Sequence, residues 1–329
     1  MIRTHDAADR DLSALVEEFF STTFATDNPL ITEAVRRMLA AGGKRLRPRL
    51  TLLSAKANGA DPRAHLALAA YMELIHVGTL IHDDVVDGAQ TRRGVNATAV
   101  DYGNRVSVLA GDYLFAWIFK NVTASYLPPI PHILSATLAD ITDGEVLQLR
   151  ARGNLRLKLD DYIEIVDKKT ASLFAASAEC GAITAGAPPI KSAALRDFGR
   201  NFGVAFQMLD DLLDLTADES DLGKPVGNDL RERKVTIPLI LALESGPLEL
   251  HREAERFFSE DEASADGGSA RRLAEGIVRA GGATKTRDAI IRRVEQAKAA
   301  LPALGSVPAR AELGALADAL ARDSTARTR

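Results

Sequence analysis

The stretch that decides the fold is Leu74-Ile75-His76-Val77-Gly78-Thr79-Leu80-Ile81-His82-Asp83-Asp84-Val85-Val86-Asp87. Its apolar run is typical of a buried helix, and it ends abruptly in three aspartates. On a helix the carboxylates of Asp83 and Asp87 lie one above the other on the same face. Because like charges at that spacing repel, the pattern indicates a bound cation. Mg²⁺ suits it, since this ion takes carboxylate oxygens and keeps other positions for water and phosphate.

A second copy of the pattern, Phe-Gln-Met-Leu-Asp-Asp-Leu-Leu-Asp, occupies residues 206–214. Gln207, Asp210, Asp211 and Asp214 fall on one stripe of a helix. A single copy has a plain alternative, a solvated helix end, but two copies that each follow an apolar run favour a functional pair. If the two helices face one another, their carboxylates surround one cavity. Such a cavity is expected to hold more than one divalent ion and a diphosphate-like ligand.

Composition narrows the class of protein. The 329 residues allow one large domain or two, and no convincing linker divides them, so a single domain over 1–329 is expected. A net charge of −4 gives no reason to expect nucleic-acid binding. The one cysteine, Cys180, excludes an intrachain disulfide, which fits a cytoplasmic protein. The start of the chain lacks an apolar signal segment, and the most apolar helix contains Glu73 and His76, so no membrane span is expected.

The chain is predicted to be all-α. Apolar residues recur at helical spacing almost throughout, and no segment favours a strand. The predicted helices include 10–25, 29–41, 97–126, 129–150, 161–174 and 192–217. Residues 259–269 are small and acidic and predict a flexible loop, and residues 324–329 predict a disordered tail.

Basic residues occur in three further segments. Gly42-Gly43-Lys44-Arg45-Leu46-Arg47-Pro48-Arg49 places four cations at the start of a helix. The backbone N–H groups there, with Lys44 and Arg47, form a good anion site, although a solvated basic turn is the plain alternative. Arg92 and Arg93 follow shortly after Asp87. Lys224 lies in a polar segment, 217–230, that is typical of a mobile flap.

In this order and spacing, these residues resemble the trans-polyprenyl diphosphate synthases. The matching segments are 42–48, His76, 83–87, Arg92-Arg93-Gly94, Lys169-Thr170, Gln207, 210–214 and Gly223-Lys224-Pro225-x-Gly227-Asn228-Asp229. The resemblance covers about residues 30–243. Two departures stand out. Val95-Asn96 stands where Lys-Pro is frequent, and Arg233 stands where glycine is common before Lys234.

The resemblance implies the isoprenoid synthase fold, a helical bundle around a deep central cavity, usually as a homodimer. It implies Mg²⁺-dependent head-to-tail condensation of isopentenyl diphosphate with an allylic diphosphate, with three Mg²⁺ ions per active site. The implied metal ligands are Asp83, Asp87 and Asp210, with Asp84, Asp211 and Asp214 close behind. The implied ligands of isopentenyl diphosphate are Lys44, Arg47, His76 and Arg93. Those of the allylic substrate are Arg92, Lys169, Thr170, Gln207 and Lys224.

The implied chemistry suits these residue types. Metal ions held by Asp83 and Asp210 neutralise the departing diphosphate. The Lys169 carbonyl, the Thr170 hydroxyl and the Gln207 amide oxygen direct dipoles at the allylic cation, and an apolar cavity excludes water. No side chain is an obvious general base, so by family analogy the released diphosphate removes the proton.

Product length is expected to depend on the helix that precedes Asp83. Gly78 and Thr79, the first wall positions, are small where short-chain members of the family carry an aromatic ring, so the cavity is expected to continue. The next wall positions are Ile75, His76, Met72 and Tyr71, and Trp117 or Phe119 of the neighbouring helix could also close the cavity. Eleven helical residues rise about 16 Å. A product of geranylgeranyl length or longer is predicted, with hexaprenyl to decaprenyl preferred, and a Phe at either small position is expected to shorten it.

Three alternatives stay open at this point. A short-chain farnesyl or geranylgeranyl diphosphate synthase would share every motif. A class I terpene synthase or a head-to-head synthase on the same fold has no need for the Gly-Gly-Lys-Arg-x-Arg-Pro segment. A non-catalytic partner subunit could lose its aspartates, whereas both clusters are complete here.

Overall fold

The structure, a computed structural model, describes residues 7–92, 94–216, 227–259 and 267–326. Its helices up to the second aspartate motif are α1 Ala7–Thr23, α2 Pro29–Ala40, α3 Leu46–Ala57, α4 Leu66–Val86, α5 Thr98–Ser125, α6 Ile130–Ala151, α7 Leu159–Val166, α8 Ser172–Thr184 and α9 Pro189–Thr216. The later helices are α10 Asn228–Arg231, α11 Ile237–Leu243, α12 Leu248–Ser259, α13 Gly267–Arg279, α14 Gly282–Ala300 and α15 Pro308–Ala326.

Shorter elements join these helices. They are the 3₁₀ turns Pro62–His65 and Leu301–Leu304, the π-helical segment Asp167–Ala171, and the two-residue strands β1 Thr91–Arg92 and β2 Val95–Asn96. The strands pair antiparallel and form the only sheet of the described residues. The all-α prediction is confirmed.

Two hydrophobic clusters form the core, and each holds one aspartate helix. Helix α4 packs in one cluster with α1, α2 and α5, and α9 packs in the other with α8 and the C-terminal helices. Helix α3 joins them, since Leu52 belongs to the first cluster and Leu50 and Leu53 to the second. The two aspartate motifs are therefore held by separate bodies of packing.

The central helix α4 is apolar on nearly every side, as expected for a helix buried in a protein core. Leu74 and Ile75 are fully buried. The segment Pro62–Val86 is long and apolar enough to cross a membrane by length and composition, but 67 % of its most apolar window is buried inside this fold.

The basic segment is fastened at Arg45, which begins α3 in a left-handed conformation with φ +46°. This conformation turns its side chain away from the helix start and into the protein. Its guanidinium contacts Glu73 of α4 at 3.0 Å and Glu17 of α1 at 2.6 Å, and Nη2 donates to the Leu39 carbonyl at 2.8 Å. Glu73 is only 2 % exposed. This ion cluster ties the start of α3 to α4.

The structure corrects the ends of two segments predicted to be irregular; residues 260–266 and 327–329 of these segments lie outside the described residues. The loop predicted at 259–269 is wrong at both ends, because Ser259 ends α12 and residues 267–269 begin α13. The buried stripe of Ala270, Leu273 and Ile277 outweighs the loop-like Gly-Gly-Ser sequence. The tail predicted from 324 is helical up to Ala326, and the buried Ser324 hydroxyl bonds back to the Ala321 carbonyl. Within the predicted flap, residues 217–226 lie outside the described residues.

The cluster around Arg45 generates a stability prediction. Glu73→Gln leaves the buried guanidinium with one carboxylate fewer, so unfolding free energy should fall by about 2 kcal/mol, since breaking a buried ion pair is strongly destabilising. Urea denaturation measures this. The control is Asp318→Asn, which removes the partly exposed Lys298–Asp318 pair and should cost less than about 1 kcal/mol. Equal losses in both variants would contradict a structural role for the cluster.

Candidate active site

The ends of α4 and α9 face one cleft of about 510 Å³. Its described lining residues include seven acids, Asp83, Asp87, Asp210, Asp211, Asp214, Asp229 and Glu232. They include four cations, Arg92, Arg152, Lys169 and Lys234. The two aspartate motifs are thus brought together, and the cleft has an excess of negative charge.

This crowding raises the pKa of three carboxyl groups, those of Asp83, Asp211 and Asp229. Burial, reinforced by Glu145 and Asp87, raises the pKa of Asp83 to about 6. Burial raises the pKa of Asp211 to about 7 even though Tyr162 and Gln207 hydrogen-bond to its carboxylate and favour ionisation. These shifts arise because negative charge is poorly solvated here. A cation would reverse them.

The donor set fits Mg²⁺. The carboxylate oxygens are hard ligands in two groups that face each other. Within the described ranges, no three His, Cys, Asp or Glu side chains are gathered closely enough to hold a metal by themselves. Mg²⁺ normally binds one or two carboxylates and completes its shell with water and substrate phosphates. The gap between the two groups leaves space for such a substrate.

The middle aspartate of the first motif has a different environment. Asp84 is completely buried; its Oδ1 accepts a hydrogen bond from Arg92 Nε at 2.7 Å and lies 2.6 Å from Arg92 Nη2 in an ion pair. It does not line the cleft, whereas Arg92 does. Arg92 is the last residue of β1 and pairs with Val95 of β2. Asp84 therefore orients Arg92 toward the cleft, and the adjacent Arg93 lies outside the described residues.

Opposite the first motif, a chain of hydrogen bonds joins Thr170 to the second. Thr170 Oγ1 donates to Gln207 Oε1 at 3.0 Å, and Gln207 Nε2 donates to Asp211 Oδ1 at 2.8 Å. The Tyr162 hydroxyl donates to Asp211 Oδ2 at 2.6 Å. The donor of Thr170 is therefore engaged, so its hydroxyl oxygen can present lone pairs to the cleft.

Lys169 and Thr170 lie in the π-helical segment, a feature frequent at functional sites. A glycine permits it: a Cβ on Gly144 of α6 would lie 2.5 Å from the backbone nitrogen of Lys169. The next residue of α6, Glu145, forms an ion pair with Lys169 Nζ. Helix α6 therefore supports the segment both sterically and by charge.

Sequence reasoning missed several residues here. Tyr162, Asp229, Glu232 and Lys234 all line the cleft, and none was assigned a role. The Lys234 amine lies 3.2 Å from Asp87 Oδ2. Burial opposes its charge, but Glu232 and Asp87 raise its pKa above the ordinary value, so it stays protonated. The one sequence signal for these four residues is that each lies within residues 30–243, the range that the resemblance covers.

The predicted anion-binding cations lie on an aromatic pair outside this cleft. The Lys44 amine lies 5.3 Å from the centre of the Phe206 ring, and the Arg47 guanidinium lies 4.4 Å from that of Phe174. The two rings are 5.4 Å apart. Phe206 immediately precedes Gln207, so this second cationic site adjoins the hydrogen-bonded chain. His76 of α4 is half-buried. Neither His76 nor Lys44 is among the described residues that line the cleft.

The expected open space beside Gly78 needs a correction. A Cβ at Gly78 would lie 2.7 Å from the Phe115 ring of α5, so that ring fills the space. Helix orientation, which sequence could not supply, explains the difference. The remaining small position, Thr79, donates its hydroxyl hydrogen to the His76 carbonyl.

Of the deeper wall positions, Tyr71, Met72 and Ile75 are buried and His76 is half-buried, and none lines the cleft. Met72 and Ile75 are fully buried. Tyr71 packs edge-on against Phe19 and Trp117, at 6.1 and 5.9 Å between ring centres. In this aromatic cluster, Tyr71 lies on α4 twelve residues before Asp83.

Comparisons of the sequence identify relatives. A family model described as polyprenyl synthetase matches residues 28–268. The chain is 37% identical over 296 residues to octaprenyl diphosphate synthase of Escherichia coli, which covers 89% of this chain and 90% of that protein. It is 35% identical over 313 residues to geranylgeranyl diphosphate synthase of Methanosarcina mazei, with 93% of each chain covered.

Solved structures agree. A polyprenyl synthase from Caulobacter crescentus, complexed with calcium and isoprenyl diphosphate, matches with a TM-score of 0.87 and 40% identity over 97% of this chain and 98% of that one. A decaprenyl diphosphate synthase from Rhodobacter capsulatus matches with a TM-score of 0.86 and 38% identity over 96% of each chain. The isoprenoid synthase fold is confirmed. This chain belongs to the polyprenyl synthetase family and is a prenyltransferase that joins isopentenyl diphosphate head to tail to an allylic diphosphate.

Proposed function

We propose that the aspartate cleft binds the allylic diphosphate through Mg²⁺, and that Lys44 and Arg47 hold isopentenyl diphosphate in a separate neighbouring site. One observation carries this proposal. Both aspartate motifs line a single cleft, while the two cations lie on the Phe174–Phe206 pair beside it. His76 and Arg93 complete the second site by family resemblance, and Lys224 and Arg92 act on the allylic diphosphate.

Asp83, Asp87 and Asp210 would hold three Mg²⁺ ions, with Asp211 and Asp214 behind them. When bound, these ions neutralise the leaving diphosphate. Lys169 lines the cleft and adds positive charge there, and its amine is paired with Glu145 of α6. Thr170 and Gln207 direct oxygen dipoles toward the developing allylic cation without offering it a strong nucleophile. Asp84 contributes indirectly, since it orients Arg92.

The roles of Asp83 and Asp210 are tested by replacing each with alanine. Prenyl transfer should slow at least about a hundredfold, because each tenfold change corresponds to about 1.4 kcal/mol of barrier and charge neutralisation supplies several. Radiolabelled isopentenyl diphosphate measures the rate. The matched control is Asp197→Ala, a partly exposed aspartate of the same helix α9. Near-normal turnover in either motif variant would refute the metal assignment.

Separate substrate sites lead to a second expectation. Lys44→Ala should raise the KM for isopentenyl diphosphate about tenfold or more, because charge-assisted hydrogen bonds contribute about 1.5–3 kcal/mol. The KM for the allylic substrate should stay within about twofold. Lys56→Ala serves as control, since Lys56 lies on α3, the helix that follows Lys44, but pairs with Glu312. Equal increases in both KM values would show that the sites are not separate.

For the product, we propose a chain of geranylgeranyl length or longer, with hexaprenyl to decaprenyl preferred. The named relatives, an octaprenyl, a decaprenyl and a geranylgeranyl synthase, support this range. A short-chain product remains the alternative. The Phe115 ring against Gly78 is then the first aromatic wall below the metal site.

Phe115→Ala should therefore lengthen the product distribution, because it reopens the space beside Gly78. Chromatography of the dephosphorylated products measures this. Phe119→Ala, one turn along α5, removes a ring that lines a different groove with Leu138 of α6, and it should leave the distribution unchanged. An unaltered product from Phe115→Ala would exclude that ring as part of the wall.

We also propose a homodimer that uses the outer faces of α5 and α6. These faces expose several large apolar side chains, namely Val108, Leu109, Tyr113, Val146 and Leu149. Patches of this kind mark interaction sites. The most exposed of them is Leu109, at 59 %.

Leu109→Glu should convert the dimer to a monomer at micromolar concentration, because it places a charge in the apolar interface. Sedimentation velocity measures the mass. Ile190→Glu, at the 73 % exposed start of α9, is the matched control and should remain dimeric. A monomeric wild-type protein would contradict the proposal.

Finally, we propose a cytoplasmic location. Support comes from the single cysteine, Cys180, which is buried and free, as is usual for proteins of reducing compartments. Cell fractionation that placed the protein outside the cytoplasm would refute this.

A further inference from the structure

Arg233 is an arginine at a backbone position that favours glycine. It follows the short helix α10 in a left-handed conformation, with φ +57°. Its N–H donates to the Leu230 carbonyl at 3.0 Å, and the Lys234 N–H donates to the Asp229 carbonyl at 2.8 Å. This pair of bonds is that of a Schellman motif, whose left-handed residue is usually glycine. A side chain there is disfavoured, so contacts elsewhere must offset the cost.

The side chain of Arg233 makes such contacts with α12. It is only 5 % exposed, and its guanidinium lies 4.7 Å from the Phe257 ring centre and 5.7 Å from that of Phe258. Its Nη1 also donates to the Phe257 carbonyl. Both phenylalanines lie in the last turn of α12, where carbonyls lack helical partners and the helix dipole favours a cation. Stacking and end-capping together anchor the turn to α12.

The same turn is held from its other side by the residues that follow α6. The Gly153 N–H donates to the Arg233 carbonyl at 2.9 Å. Arg152 Nε donates to the Glu232 carbonyl at 2.8 Å. The turn thus lies between α12 and the end of α6, and its position is determined by both.

The residue that follows the anchor reaches the cleft. Lys234 Nζ lies 3.2 Å from Asp87 Oδ2 of the first aspartate motif. Its backbone is one residue from Arg233, so a shift of the turn moves the amine relative to that carboxylate. Helix α12 is far from α4 in the sequence, and the turn connects it to the end of α4 that carries the first aspartate motif.

We infer that Arg233 is a positioning residue for prenyl transfer: by fastening its turn to α12, it places the Lys234 amine against Asp87. This inference rests on the proposed function, in which Asp87 binds Mg²⁺. A glycine would adopt the same left-handed conformation but would make no contact with α12. Compared with the glycine that is common in the family at this position, Arg233 adds a side-chain contact that restrains the turn.

The test is Arg233→Gly, which keeps the left-handed turn and removes only the anchor. The turnover rate should fall about tenfold, since small misplacements of positioned groups cost that much or more. The Mg²⁺ concentration for half-maximal rate should rise, whereas the KM for isopentenyl diphosphate should not change. In a Lys234→Ala background, Arg233→Gly should cause no further loss, because both changes affect one interaction.

A second variant covers the possibility that Arg233→Gly fails to fold. Phe258→Leu weakens the anchor without altering the turn, and it should give a smaller loss in the same direction that also vanishes in the Lys234→Ala background. Arg271→Ala, an exposed arginine of α13, is the control and should have no effect. Wild-type rates in the anchor variants, or losses that add to that of Lys234→Ala, would overturn the inference. If the wild-type protein showed no Mg²⁺-dependent transfer, the proposed function itself would fail.

Discussion

The constraint on which this structure depends is the concentration of carboxylates in one poorly solvated cleft. Seven acidic and four basic side chains are among its described lining residues, and burial raises the pKa of both Asp83 and Asp211. Such an arrangement is unfavourable by itself, because buried like charges repel and are poorly solvated. It becomes favourable when cations and an anionic substrate enter together. The cleft is therefore suited to a metal-bound diphosphate rather than to either component alone.

The fold opposes this repulsion by packing each wall of the cleft against its own hydrophobic cluster. Helices α4 and α9 lie in different hydrophobic clusters, so each is held by its own packing. Ion pairs then position the other segments of the site. Asp84 orients Arg92, and Glu73 fastens Arg45 at the start of α3. Lys234 contacts Asp87. Each pair joins two segments that are separate in the chain. Preorganisation of this kind is what electrostatic catalysis requires, because the charges need not move during the reaction.

Much of this could be predicted from the sequence, since helical periodicity and the two aspartate motifs are local patterns. The all-α fold, the facing motifs and the place of Gln207 beside the second motif follow from such patterns, whereas the site role of Lys169 and Thr170 came from the family resemblance. Features that depend on relative helix orientation could not be predicted, and the Phe115 ring against Gly78 is the clearest example. Lys234 was missed because its role depends on a turn anchored by a phenylalanine pair distant in sequence. The Gly267 segment was misjudged because tertiary burial of Leu273 outweighed its loop-like composition.

The central claim is that bound Mg²⁺ and diphosphate offset the charge of buried cleft carboxylates, among which Asp83 and Asp211 have raised pKa values. Calorimetric titration of Mg²⁺ with inorganic diphosphate into the protein, in two buffers of different ionisation enthalpy, measures proton release directly. With pKa values of about 6 for Asp83 and about 7 for Asp211, binding at pH 6 should release protons, because a bound cation lowers both pKa values. At pH 9 both groups are already ionised, so their contribution to the release should disappear and fewer protons should be released than at pH 6. Binding at pH 6 without proton release, beyond that of the Mg²⁺–diphosphate mixture alone, would contradict the account.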